Sequence, residues 1–124
     1  MDLDVGSERM TDGTVNEIWG AGSLILDRSG HMSFFVFGKN RPPATSPDPR
    51  VPLGPIVAYY GTFTVDDDIK TLTYRVEAAS STIFNAAIRM QSVTLSGDTM
   101  TTTGSQVTTP QGSITPINVW KRAK

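Results

Sequence analysis

The chain has 124 residues, a formal net charge of −1 and no cysteine. That length suits a single core. The near-neutral charge gives no electrostatic ground for nucleic acid or an anionic membrane as partner, and a cysteine-free chain has no disulfide, thiolate metal site or thiol nucleophile. Thr, Val and Ile together number 34 against 21 for Leu, Ala, Glu and Lys, a bias toward β-branched residues that excludes a helical bundle.

Residues 1–13 are polar, with Gly6 and Asp12-Gly13, and read as a flexible arm or an atypical first strand. A short alternating piece covers Val15–Trp19. Residues 22–27 follow as a compact apolar run, with Leu24 and Leu26 on one face. Asp27-Arg28-Ser29-Gly30 reads as a hairpin turn. In the strand His31–Phe37, His31, Ser33, Phe35 and Phe37 share one face and Met32, Phe34 and Val36 the other. Both faces are apolar, so the strand is expected to be covered on both sides, by a third layer or a second subunit.

Residues 38–55 carry six prolines between Gly38 and Gly54-Pro55. Their missing N–H donors rule out helix or sheet, leaving a lid or a surface excursion. Alternation resumes over 56–65, with Val57, Tyr59, Gly61, Phe63 and Val65 facing one way. Asp66-Asp67-Asp68 marks a solvated reversal. Residues 69–78 place Leu72, Tyr74 and Val76 opposite Thr71, Thr73, Arg75 and Glu77. The stretch 80–87 holds a helical turn or a wide loop. Strands are expected over 87–95, 100–103 and 113–122, and Pro116 argues for an edge or a bulge. The fold class is therefore all-β: an antiparallel meander of about eight strands in one domain spanning 1–124, closed or nearly closed into a barrel.

Several segments in this order carry a resemblance. Gly22 to Ser33, with its Gly-His-Met-Ser turn exit, resembles a hairpin of the bacterial and fungal lipocalin-like domain family. Ala58 to Val65 is similar to that family's Tyr-x-Gly-Thr-Tyr strand, and Tyr74-Arg-Val-Glu77 to its His-His-Val-Glu stretch. Leu95-Ser-Gly-Asp98 and Val119-Trp-Lys-Arg122 match its Leu-x-Gly-Asp and Trp-x-Arg segments. The resemblance covers residues 15–122 and implies a lipocalin-like barrel with a cavity, but no particular reaction. The family's opening Gly-x-Trp strand has no counterpart in Met1–Asp4, which bears on closure. Its His-His pair is Tyr74-Arg75 here, so His-based chemistry is not carried over.

His31 is the one histidine, and it excludes a site needing two His ligands from one chain. It reads either as a general base or as a strand-end residue at the rim. Arg75, Glu77 and Arg89 form a candidate charged cluster if they face inward, and a surface ladder if they face outward; Thr71 and Thr73 favour the outward arrangement. Tyr59 and Tyr60 point to opposite faces, so only one enters the barrel. No phosphate loop, nucleophile elbow or His-Glu-x-x-His string occurs.

The expectation is a binding module for a small, largely hydrophobic molecule, lined by Phe35, Phe37, Tyr59, Phe63, Leu72, Tyr74, Met90 and Trp120. The alternatives are a cofactor-free isomerase, cyclase or lyase using Glu77, Arg89 or His31, and a structural homo-oligomer. That oligomer would assemble through an exposed strand edge or the Met32/Phe34/Val36 face. No metal, cofactor, nucleic acid or membrane partner is expected. The N-terminus lacks a basic start and apolar run, and no apolar run nears the ~20 residues of a membrane span, which makes the cytoplasm the expected compartment.

Overall fold

The computed structural model describes residues 1–43, 47–48, 54–110 and 112–122. Pro49, Pro52 and Lys124 lie outside them, as does most of what would decide between a lid and a surface excursion. Among the described residues, alternation produces nine antiparallel strands: β1 (Asp2–Met10), β2 (Val15–Leu26), β3 (His31–Gly38), β4 (Ile56–Asp66), β5 (Thr71–Ala79), β6 (Ile88–Ser96), β7 (Thr99–Gly104), β8 (Val107–Thr109) and β9 (Gly112–Lys121). They hydrogen-bond in the order β1-β2-β3-β4-β5-β6-β7-β9-β8, and β1 also pairs with β9. Eight strands thus close into a barrel, and β8 adds a short hairpin to the first residues of β9. No helix among the described residues is long and apolar enough to cross a membrane.

The two ends of the barrel differ. At one end the strands reverse in tight turns at 27–30, 67–70 and 97–98; at the other lie the described flanks of the β3–β4 connection (39–43 and 54–55), the 80–87 connection and β8. A single 3-10 turn, Thr82–Phe84, sits in the second of these. The interior is filled from the tight-turn end to the middle of the barrel. Trp120 and Leu24 are 0% exposed, and Tyr74, Val36, Val76, Leu72 and Met32 are fully buried beside them. Phe34 stacks on Tyr59 with ring centroids 4.7 Å apart and meets Trp120 edge-on at 5.7 Å. The buried indole N–H of Trp120 donates to Thr102 Oγ1 at 3.1 Å, so this polar atom carries no desolvation penalty.

Several sequence expectations change. Of the two readings of residues 1–13 the strand holds and the arm does not: β1 is a full wall strand, so the edge proposed for oligomer contact is occupied. The pieces 15–19 and 22–27 are one strand, interrupted by a bulge between Trp19 and Ala21. On β3 the inward face is Met32, Phe34 and Val36, whereas Phe35 and Phe37 point out. The local pattern could not choose between two apolar faces. The partners chose: Leu24 lies opposite Phe34, and Phe34 opposite Tyr59. The Met32/Phe34/Val36 face is therefore core and not an oligomer surface. Pro116 is not on an edge strand either. It pairs with Glu8 of β1, and on the other side of β9 it falls between the last residue paired to β7, Ile117, and the first paired to β8, Ile114. A missing donor is tolerated in such a gap.

Gly61 fixes the crossing of β4 and β5. The register slips there, with Tyr60 opposite Ala78 and Gly61 opposite Val76, so Glu77 is the extra residue of a bulge. A Cβ on Gly61 would run into the Arg75 carbonyl. Gly61→Ala is expected to cost about 1–3 kcal/mol in denaturant unfolding. Leu95→Ala, at a 71% exposed side chain, should stay within about 0.5 kcal/mol.

Candidate functional site

Toward the loop end the interior changes from apolar to polar. Register places six polar side chains on inward positions: Glu8 on β1, Tyr59 on β4, Tyr74 on β5, Arg89 and Gln91 on β6, and Asn118 on β9. Arg89 lies opposite Tyr74, Gln91 opposite Leu72 and Gly104, Asn118 opposite Gly6 and Thr102, and Glu8 opposite Pro116. Gly104 has no side chain, and the Gln91 amide occupies the space a Cβ there would take, 2.9–3.0 Å away.

Arg89 organises one side of this region. Its guanidinium lies over the Phe84 ring at 5.2 Å, and Nη2 donates to the Ser105 carbonyl at 3.2 Å. Its charge lies near enough to the Tyr59 hydroxyl to pull that phenol's pKa downward. Its Nε is buried with no partner, and among the described residues no carboxylate neutralises it. Burial pushes the Tyr59 phenol up to about 12, against the pull of the Arg89 charge. Tyr74 is raised further by burial, with Tyr59 adding to it. Both hydroxyls therefore stay protonated at neutral pH.

Asn118 is 5% exposed, and its Oδ1 has no hydrogen-bond partner. A buried amide acceptor left open costs about 1–3 kcal/mol, and such groups are uncommon in native interiors. Glu8 is half-buried. Burial alone raises its carboxyl, with no cation opposing the shift. Glu8 and Arg89 are thus two interior charges that do not neutralise each other.

The residues expected from sequence are dispersed. Tyr59, Leu72, Tyr74 and Trp120 are inside, and Phe63 is half-buried against the same core. Phe35 and Phe37 are on the outer wall, and Met90 is outward and 50% exposed. Outward Phe35 and Tyr60, with Ile25, Ala58 and Ala78, border a solvent-open apolar groove of about 530 Å³. Arg75 and Glu77 face solvent, so the Arg75–Glu77–Arg89 set is split and Arg89 alone enters the barrel.

His31 is in the hairpin turn with its side chain 65% exposed. Its Nδ1 is 2.7 Å from Ser29 Oγ, which donates to Asp27 Oδ1 at 2.6 Å; the same carboxylate accepts the His31 backbone N–H at 2.9 Å. Here the aspartate holds the serine rather than the imidazole, which is the reverse of a nucleophilic triad. The three residues brace a turn. Among the described residues no group of three metal-capable side chains forms.

Glu8, Gln91 and Asn118 were not among the candidates. Asn118 shared a predicted face with Ile114 and Trp120, and a carboxamide on an apolar face was the available signal. Gln91 shares its face with Arg89 and Val93 in the same way. Glu8 gave no signal, because nothing local marks 1–13 as a wall strand.

Comparison with known proteins identifies no family: no family model, no curated protein and no solved structure matches the chain.

The Glu8 carboxyl is raised above its ordinary 4.5, so folding favours its neutral form. That contribution is fully present below the unfolded-state value and is lost as pH rises through the folded-state value. Glu8→Gln should therefore raise the melting temperature at neutral pH, and the gain should vanish below pH 4.5. Thermal melts of the two proteins across that range check this. An equal gain at both pH values would show that charge burial is not its cause.

Proposed function

We propose that the chain is a binding protein of the lipocalin type, taking a small, largely hydrophobic molecule through the loop end of its barrel. The observation that carries this reading is the pair of buried polar atoms without partners, Asn118 Oδ1 and Arg89 Nε, in a barrel whose core is mainly aromatic and aliphatic. Ligand sites combine apolar walls with a few placed polar groups, and an orphaned polar atom inside a closed barrel marks where a guest, or water in its place, completes the bonding. The resemblance of residues 15–122 to lipocalin-like domains supports the same reading.

The guest sits higher than a hollow in the middle of the barrel would put it. Trp120, Leu24 and Met32 fill the interior toward the tight turns, so the guest would lie against Val57, Phe84 and the polar positions. Binding would draw on burial of the guest's apolar surface at about 25 cal/mol per Å². One or two polar contacts would fix its orientation.

A second reading, a cofactor-free enzyme moving a proton, draws on Glu8. An inward carboxyl with a raised pKa has the character of a general acid or base. Glu77 and His31, the earlier candidates for that role, face solvent.

Titration with the neutral fluorophore N-phenyl-1-naphthylamine tests the binding reading. Saturable binding is expected. It should weaken at least tenfold in Val57→Glu, at the inner wall, and be unchanged in Tyr60→Ser, on the outer wall. Absence of saturable binding, or sensitivity at Tyr60 alone, would overturn it.

A further inference from the structure

We infer that Arg89 and Tyr59 form a carboxylate subsite, and that the guest is a compact apolar body bearing a single carboxylate. This rests on the binding reading above and specifies its chemistry.

Arg89 is committed to the interior by its strand position opposite Tyr74. Taking a guanidinium out of water is costly unless a countercharge or a full set of acceptors meets it. The fold gives Arg89 one hydrogen-bond acceptor, the Ser105 carbonyl through Nη2. It also gives the Phe84 ring face, 5.2 Å from the guanidinium carbon. It does not give an anion, and Nε is left with no acceptor at all. Glu8, the inward carboxyl, is shifted by burial only, so its charge is not what Arg89 meets.

The open valence is therefore a donor on a half-buried cation, with Nε itself out of water. A carboxylate fits it better than a neutral oxygen. It brings the missing charge, and its two oxygens suit the parallel donors of a guanidinium. Tyr59 adds a donor of its own. Its hydroxyl stays protonated with a pKa near 12, beside the Arg89 charge, and has a proton to give to the guest. The Tyr59 ring is fixed by stacking on Phe34 at 4.7 Å and by Phe84 at 6.0 Å, so the hydroxyl is held before anything binds. Pre-placed donors avoid an ordering cost on binding.

The shape of the guest follows from the floor. With Trp120 and Leu24 fully excluded from solvent beneath, a long extended chain has nowhere to run. A compact body of one or two fused rings suits such a floor.

The experiment uses an isosteric pair, 2-naphthoate and its neutral analogue 2-naphthamide, each displacing N-phenyl-1-naphthylamine from the full chain at neutral pH. In the unchanged protein naphthoate should bind at least tenfold more tightly than naphthamide. Arg89→Met should erase that preference while leaving naphthamide within twofold. Tyr59→Phe, which keeps the stacked ring, should remove only part of it. Equal affinities for the two compounds in the unchanged protein would overturn the subsite while leaving the binding reading intact. So would a preference that survives both substitutions. Failure of the fluorophore and of both naphthalenes to bind would remove the binding reading itself. Near-ultraviolet circular dichroism of Trp19 and Trp120 separates a folded Arg89→Met from a collapsed one. If Arg89→Met has collapsed, full preference in folded Tyr59→Phe overturns the subsite and partial loss supports it.

Discussion

The ladder between β1 and β9 is the constraint on which the rest of the molecule depends. It runs from Asp2 opposite Lys121 to Met10 opposite Ile114 and joins the two ends of the chain. Without it, the inner faces of eight strands would lie on an open sheet with one side wet. With it, there is an inside, and every statement about which side chain is buried acquires a sign. The ladder also fixes parity. Leu3 meets Trp120, and Gly6 meets Asn118, on the axis side; a slip of one residue would send Trp120 outward and leave Val119 in the core. Closure over so long a stretch of sequence is costly in chain entropy. The seam therefore needs the many hydrogen bonds and the tryptophan that it has.

Seen from that seam, the sequence was legible where one face of a strand is apolar and the other is not. Tyr59, Leu72, Tyr74 and Trp120 were placed inside on alternation alone, and they are inside. The pattern failed on β3 and β6 for opposite reasons. On β3 both faces are greasy, so parity was undetermined, and only the opposing Leu24 and Tyr59 decide it. On β6 the greasy face is the wrong one. Ile88 and Met90 are out, while Arg89 and Gln91 are in. Hydrophobic preference would always choose the former pair. What overrides it is the pairing of β6 with β5, where Leu72 and Tyr74 must point to the core and bring Gln91 and Arg89 with them.

That inversion on β6 is where structure turns into chemistry. A core strand that spends two inward positions on an arginine and a glutamine gives up apolar burial. Departures of this kind from local consistency concentrate at functional sites. The same half of the barrel holds Asn118 with an open acceptor and Glu8 with a desolvated carboxyl. Nearer the tight turns, the buried indole donor of Trp120 is satisfied by Thr102. The barrel is divided between a floor that holds the fold together and a mouth that is left incomplete.

The connection between β5 and β6 shows how the incomplete half is kept in shape. It carries Phe84 between the Tyr59 ring and the Arg89 guanidinium. To return to β6 so soon after, the chain passes through Ala86 at φ 60°, a left-handed conformation disfavoured for a residue with a Cβ. Such strain persists only where the surroundings over-determine it. Here they do so through the Ala87 N–H bond to the Phe84 carbonyl, the Val76 N–H bond to Ala87, and the Asn85 side chain accepting from the Ala79 N–H. A loop serving only to join two strands would be free to relax at Ala86. This one is tied at three points around the residue that supports both Arg89 and Tyr59, which is the behaviour of a shelf and not of a linker.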